Sequence, residues 1–392
     1  MAMPAVSISD LRDRARARLP NILFDWIDGG AGDERGLREN ETAFDAYRFL
    51  PRYMLDVSPR QQQQTLFGHS YASPFGIAPT GYAGLFRPGA DLMLASAARD
   101  AGIPYIMSGT STSSIEEAAA IAPDSLWYQL YAAVDAGITR DLIARAERAG
   151  CPVLVVTIDI PIAGKRERDL RNGFDFPLKL SPGLVWDGVH HPGWTWDYLR
   201  TGGLPVMKNW QPYAPSGATP VQVAQFANSH SFAVQTWDHL KLFRDLWPRT
   251  LVVKGVMHPD DAVMALRLGA DGLYVSNHGG RQYDRSVSPL AMVPVLRRAV
   301  GGDVPLMMDG GIRRGSDILT ALCLGADFVF QGRPTLYGAA AHGLEGVTQA
   351  IAILRGELDN LMGQIGCLDL DRDKLPNFLV RIDAHGLLQK EA

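Results

Sequence analysis

Cysteine is almost absent from the chain: only Cys151, Cys323 and Cys367 occur in 392 residues, far apart and odd in number. That spacing supports neither a disulfide framework nor a zinc site, so a reducing, cytoplasmic setting and no bound metal are expected. A basic excess is lacking too. With 38 Lys and Arg against 42 Asp and Glu, the formal net charge is −4, and the electrostatic footprint of a nucleic-acid binder is missing. No run of about 18 apolar residues exists, which excludes a spanning helix. The opening stretch "MAMPAVSISDLRDRARARLP" has no apolar core flanked by a cleavage site, so it does not read as a secretory signal. It reads as a short helix capped by Ser9 or Asp10. Finally, no G-x-G-x-x-G follows the first apolar strand, which argues against an open dinucleotide-binding sheet.

What is present is a repeated alternation. From residue 73 onward come "SPFGIAPTG" (73–81), "IPYIMSG" (103–109), "LWYQLY" (126–131), "PVLVVTID" (152–159), "TLVVKGV" (250–256), "GLYVSNH" (272–278), "PLMMDGG" (305–311) and "FVFQGR" (328–333). Helical spacing fills most intervals, as in "DLMLASAARDAG" and "GSDILTALCLGA". Nearly continuous apolar strands alternating with helices indicate a parallel sheet covered on its outer face. Eight such units predict an α/β chain of (β/α)₈ barrel type, for which about 250 residues is typical. The barrel would be one domain spanning 1–392, with a helical extension over 1–72 and helices over 335–392. One interval is too long: roughly 90 residues separate the fourth run from the fifth. Its excess, 175–230, is rich in Trp, Pro and Gly. It reads either as a partly ordered lid or oligomer contact, or as a segment dipping apolar side chains into a membrane interface, although no clean amphipathic helix can be written through it.

In such a barrel the chemistry sits at the C-terminal strand ends. Those ends carry Pro79, Thr80 and Gly81; Ser108; Gln129 and Tyr131; Thr157 and Asp159, with Arg166 a little beyond; Lys254; His278 and Arg281; Asp309; and Gly332 and Arg333. Singly, each has a structural explanation. Lys254 can snorkel, Gln129 can be a satisfied core amide, and Thr157 has ordinary strand propensity. Together they converge on one mouth. "DGGIRRGSD" (309–317) and "GRP" (332–334) place Gly-rich turns after the last two strands, the usual phosphate seat of this fold. Arg313 or Arg314, with Arg333, would neutralise a phosphate there.

The stretch "SNHGGRQYD" (276–284) sets an imidazole and a guanidinium three residues apart, expected across the mouth from that seat. An imidazole takes a proton at neutral pH, and a guanidinium pairs with a carboxylate in bidentate fashion. Gly279 and Gly280 let the loop turn sharply and a ligand approach its backbone. A base beside a carboxylate clamp suits abstraction of a proton or hydride next to a carboxylate, and Asp159 would stabilise the imidazolium.

"SNHGGRQYD", "VVKG", "TIDIP…GKRERDLRN", "YQLY", "APTG" and "DGGIRRGSD…GRP" together resemble the FMN-dependent (S)-2-hydroxy-acid dehydrogenase and oxidase family, over residues 10 to 380 and nearest its mandelate-oxidising branch. The resemblance implies FMN as cofactor and His278 as base, with Asp159 its partner. Arg281 and Arg166 would hold the substrate carboxylate, with Tyr131 hydrogen-bonding the substrate. Lys254 would face the flavin, and Pro79, Thr80, Gly81, Ser108, Gln129 and Thr157 would surround its ring. Ser276 and Asp309 would meet the ribityl chain, and Gly311, Arg313, Gly332 and Arg333 the phosphate. Trp26 stands where the family usually has a tyrosine that donates to the carboxylate. Thr110, where glycolate-type members have tryptophan, and Gly81 leave room for a large or aromatic substrate. The implied acceptor is a quinone, or oxygen with release of hydrogen peroxide. The implied assembly is a homotetramer, peripheral on the cytoplasmic face of the inner membrane. Because of Trp26, a flavin-binding protein with an altered substrate is the alternative. A barrel enzyme sharing only the phosphate seat leaves His278, Arg281 and Arg166 unexplained.

Overall fold

The structure, a computed structural model, describes residues 4–174, 182–231, 235–382 and 388–389. Eight parallel strands close into a barrel in chain order: β1 (Phe75–Ile77), β2 (Tyr105–Met107), β3 (Leu126–Leu130), β4 (Val153–Thr157), β5 (Thr250–Val256), β6 (Gly272–Val275), β7 (Leu306–Met308) and β8 (Phe328–Gln331). The eighth pairs with the first. Each strand falls inside the apolar run that predicts it.

Side chains alternate along a strand, so every second residue faces the barrel axis. That inward set begins apolar: Ile106, Trp127, Val153, Val155, Val252, Tyr274, Met307, Phe328 and Phe330 form one buried cluster. Continued by twos toward the C-terminal ends it turns polar. Ser108 and Thr110 follow Ile106, Gln129 and Tyr131 follow Trp127, and Thr157 and Asp159 follow Val155. Lys254 follows Val252, Ser276 and His278 follow Tyr274, and Asp309 follows Met307. Apolar packing therefore fills the lower barrel and leaves the mouth to polar groups. A hairpin, Gln64–Leu66 with His69–Tyr71, closes the bottom, where the Trp127 indole donates to the Tyr71 hydroxyl at 3.3 Å.

Three helices lead into the barrel: α1 (Ile8–Arg18), α2 (Asn21–Asp28) and α3 (Arg35–Thr42). The cap of α1 is Ser7 rather than Ser9 or Asp10. Its hydroxyl accepts from the Asp10 amide, and the Asp10 carboxylate accepts from the Ser7 amide, a reciprocal box that requires the acidic residue three positions in. At the far end of α2, Asp28 accepts from Arg12 Nε (2.6 Å) and Nη2 (2.8 Å), Tyr337 Oη (2.8 Å) and Arg168 Nη1 (3.2 Å). Those bonds hold α2 against the helix that follows β8, Arg333–His342.

Within the 175–230 insertion, 175–181 lie outside the described residues. The rest forms helices where none was expected: α4 (Pro182–His190), α5 (Pro192–Arg200) and α6 (Pro220–His230). Each begins on a proline, whose fixed φ and missing N–H suit the first turn, so the prolines start these helices instead of breaking them. The segment is fastened to the barrel. Trp194 Nε1 donates to Leu85 O (2.9 Å), Trp210 Nε1 to Gly109 O (3.0 Å), and Tyr82 Oη to Met207 Sδ (3.1 Å). After the helices Arg333–His342 and Leu344–Ile365, the chain is not helical throughout: Leu379–Ile382 pairs antiparallel with Tyr47–Phe49. Among the described residues no helix is long and apolar enough to cross a membrane.

Candidate active site

A cavity of about 780 Å³ opens at the barrel mouth. Its walls include Trp26, Pro79, Thr80, Gly81, Thr110, Tyr131, Arg166, Lys254, His278, Arg281, Asp309, Gly311, Arg313, Gly332 and Arg333. Ser108, Gln129, Thr157 and Ser276 do not line it but are buried at the same strand ends. Asp159 stands behind His278.

His278 Nδ1 lies 3.0 Å from Asp159 Oδ1. Burial alone would raise the Asp159 carboxyl, but the charges of His278 and Lys254, with the His278 hydrogen bond, outweigh it and hold the group below the usual carboxylate range. His278 itself has φ +57°, a left-handed conformation uncommon outside glycine but adopted by histidine more than most residues. The Ser276 hydroxyl accepts its amide at 3.1 Å. The flanking loop is pinned from outside the barrel. Asn277 and Asn40 exchange side-chain amide bonds of 2.7 and 2.8 Å, and Asp284 accepts the amides of Asp33, Arg35 and Gly36. The N-terminal extension thus holds the His278 loop.

Two guanidiniums line the same cavity. Arg166 pairs with Asp169 at 3.4 Å. Arg281 donates through Nη1 to the carbonyls of Trp26 (2.6 Å) and Gly29 (3.0 Å), while its Nη2, covered from solvent, has no partner among the described residues. Burial, then repulsion from Arg166 and Arg333, push the Arg281 guanidinium well below its ordinary range. The Asp169 carboxylate opposes that push, and two guanidiniums in one cavity suit an anion.

Lys254 arises at an irregularity in β5, where the register shifts between Lys254 and Val256 around Gly255. Its ammonium donates to Ser276 Oγ (2.8 Å), which donates to Asp309 Oδ1 (2.6 Å). In the adjoining seat Arg333 donates to the carbonyls of Ile27, Gly29 and Gly279 at 2.8 to 3.1 Å. Its contact with Gly279 corrects one expectation: the seat adjoins the His278–Arg281 loop rather than facing it across the mouth. The Gly-rich loop after β6 leans over to reach it, and a Cβ at Gly279 would come within 2.9 Å of Arg333 Nη1. Of the two candidate arginines after β7, Arg313 lines the cavity, whereas Arg314 turns to Glu357 at 2.7 Å.

Sequence reasoning did not pick out Tyr82, Asp169, Phe174, Asn228 or Ser231, all of which line the cavity. Asp169 had a legible signal, its i,i+3 spacing from Arg166. Asn228 and Ser231 arrive through the insertion, where no periodicity marks them.

A histidine paired to a carboxylate, two guanidiniums in the same cavity and an adjoining cationic Gly-rich turn, at the C-terminal mouth of a parallel barrel, suit an enzyme that works with a phosphorylated cofactor. The chain belongs to the FMN-dependent dehydrogenase family, whose model matches residues 15–375. It is 39% identical over 371 residues to the (S)-mandelate dehydrogenase of Pseudomonas putida, covering 94% of this chain and 93% of that one. It is 38% identical over 366 residues to the L-lactate dehydrogenase of Caulobacter vibrioides, covering 93% and 95% of the two. Its structure superposes on the crystal structure of the monotopic membrane protein (S)-mandelate dehydrogenase with TM-score 0.92 and 37% identity, over 99% of this chain and 100% of that one.

FMN is the cofactor of this family, and the residues fit it. Among the described residues, the buried hydroxyls of Thr80 and Thr157 have no partner, as donors and acceptors awaiting a ring would. Arg313 and Arg333 line the cavity after β7 and β8, where two guanidiniums suit a phosphate, although Arg313 Nη2 also pairs with Glu41 at 2.6 Å.

Proposed function

We propose that this chain oxidises an (S)-2-hydroxy acid bearing a large or aromatic side chain to the 2-oxo acid and passes the electrons to a membrane quinone. The observation carrying this reading is the 3.0 Å His278–Asp159 pair, with His278, Arg166 and Arg281 lining one cavity. With Nδ1 held by Asp159, Nε2 is the ring nitrogen left to take a proton from the substrate, and Asp159 stabilises the imidazolium. Arg281 and Arg166 bind the carboxylate and Tyr131 hydrogen-bonds the substrate. Lys254, Pro79, Thr80, Gly81, Ser108, Gln129 and Thr157 hold the FMN ring, Ser276 and Asp309 its ribityl chain, and Gly311, Arg313, Gly332 and Arg333 its phosphate. FMN, when bound, supplies the two-electron acceptor.

Thr110 and Gly81, both small, line the substrate end and support a bulky side chain there. Membrane association is supported by Val185, Trp186, Val189, Trp196 and Leu199, all more than half exposed on α4 and α5. The Trp194–Leu85 bond holds these helices beside the loop after β1. The assembly proposed is a homotetramer of one-domain chains, peripheral on the cytoplasmic face of the membrane, testable by light scattering.

The test is anaerobic mixing of the FMN-loaded protein with (S)-mandelate while the flavin absorbance is followed. Rapid bleaching is expected, absent with the (R) enantiomer and lost in His278→Ala. Bleaching by another 2-hydroxy acid instead keeps the chemistry and refutes the pocket reading. No bleaching by any 2-hydroxy acid refutes the reaction and favours a flavin-binding protein. Readmitting air separates the acceptors: slow recolouring supports the quinone, and fast recolouring supports an oxidase.

A further inference from the structure

We propose that Trp26 is the positioning residue for Arg281, its indole face holding the guanidinium in place without a carboxylate partner and so reserving Arg281 for a substrate carboxylate. This rests on the reading of the cavity as a carboxylate-binding site.

The Arg281 guanidinium carbon lies 4.7 Å from the Trp26 ring centroid, and that of Arg166 lies 6.0 Å from it. One indole therefore meets both cations of the clamp. Arg281 forms no ion pair within 4.0 Å among the described residues, and its acceptors are the neutral carbonyls of Trp26 and Gly29. A cation so placed, near Arg166 and Arg333 and opposed only by the Asp169 carboxylate beyond ion-pair distance, is costly to desolvate unless something more negative faces it. A carboxylate partner would meet that need but would also fill the donors a substrate requires. An aromatic face supplies negative potential and leaves the edge of the guanidinium free. Nη2 is left without a hydrogen-bond partner among the described residues, and Arg281 lines the cavity.

The indole is itself fixed. Its centroid lies 5.4 Å from Phe86, 6.0 Å from Phe174 and 6.5 Å, edge to face, from Tyr82. Its backbone carbonyl takes Arg281 Nη1, so one residue sets both the plane and the distance of the cation. Trp26 has no hydroxyl to offer a carboxylate. Its contribution runs through Arg281, and it should show as discrimination between a charged ligand and a neutral one of the same shape.

The experiment titrates FMN-loaded protein with phenylacetate and, separately, with phenylacetamide, reading the perturbation of the flavin spectrum. Trp26→Leu is expected to weaken phenylacetate roughly 5- to 30-fold and to leave phenylacetamide within about twofold. Trp26→Phe, which keeps a smaller aromatic face, should fall between wild type and the leucine variant and partly restore the selectivity. If Trp26→Leu does not fold, the phenylalanine variant decides by the same ratio. Equal weakening of both ligands would overturn the proposal, since Trp26 would then be only an apolar wall. No change in either would overturn it too. Selective weakening of phenylacetate in Trp26→Leu, in a protein that oxidises no 2-hydroxy acid, would uphold the role of Trp26 and refute the reaction. Failure to bind phenylacetate at all would refute both.

Discussion

Asp159 and His278 meet at 3.0 Å although β5 runs between the strands that carry them. The intervening strand yields at Gly255, the glycine of its irregularity, with φ +101°. A Cβ there would lie 2.6 Å from Asp159 Cβ. Missing side-chain volume on one strand thus lets two side chains from its neighbours approach each other.

If Asp159 holds the tautomer of His278 and stabilises its protonated form, Asp159→Asn should lower the rate of anaerobic flavin reduction by roughly 10²- to 10⁴-fold. FMN content should stay unchanged, because Asp159 lies behind the base. Gly255→Ala should also slow reduction, by displacing Asp159, and should lower stability as well, since its backbone conformation disfavours any Cβ. Stopped-flow reduction and thermal unfolding of both variants separate the two effects.

The Asp28 carboxyl, at the end of α2, predicts an acid-dependent loss of stability. Burial raises it, but the hydrogen bonds from Arg12 and Tyr337, with the charge of Arg12, outweigh burial and bring it down to about 2. A carboxyl depressed in the folded state stabilises above its unfolded value and loses that contribution as pH falls through the folded one. The window is roughly pH 4 to pH 2, and the amount is about 2 kcal/mol. Asp28→Asn should destabilise the protein at pH 7 by about 2 kcal/mol, because Arg12 and Arg168 lose the carboxylate they share. The variant should then lose less further stability than wild type between pH 5 and pH 3. Urea unfolding at those pH values checks this, and a parallel decline in both proteins would refute it.

Legibility in the sequence tracked periodicity. The barrel could be read because buried parallel strands write continuous apolar runs, and the polar residue two beyond each run marks its mouth: Lys254 after Val252, His278 after Tyr274. What could not be read lay where contacts are far apart in sequence. Nothing local in "SNHGG" announces that Asn277 bonds Asn40, or that Asp284 gathers three amides from the N-terminal extension. Proline misled in the insertion, because a residue that ends helices internally also begins them. Trp26 departs from the family pattern in the sequence itself, but its stacking on Arg281 depends on where α2 settles, which the bonds to Asp28 help fix.

The exposed side chains of α4 and α5 carry the membrane prediction. Trp186 and Trp196 are 69% and 67% exposed, although most large apolar side chains elsewhere are covered. A double Trp186→Ser, Trp196→Ser variant should move from the membrane fraction into solution while still being reduced by substrate at the wild-type rate. Detergent and salt washing followed by anaerobic reduction tests both halves. A variant that stays on the membrane would show that these helices are not the contact.

Gly81 and Thr110 should behave as a coupled pair. A Cβ at Gly81 would come within 2.4 Å of Thr110 Oγ1, which lies 3.1 Å from Ser108 Oγ. Gly81 is not held by its backbone, which has negative φ, so the conflict is steric alone and removable from the other side. Gly81→Ala should cost about 1–3 kcal/mol and weaken FMN retention, because Thr110 is pushed onto Ser108. Thr110→Ala alone should cost less, through the lost hydroxyl contact. Together the two changes should cost less than their sum, by about 0.5–3 kcal/mol of favourable coupling. The same pair also stands at the proposed substrate end of the cavity. Thr110→Trp should raise KM for mandelate far more than for lactate, since the added ring fills the space an aryl group needs. Additive costs in the cycle, or an equal rise in KM for both acids, would show that this pair shapes neither the ring bed nor the substrate pocket.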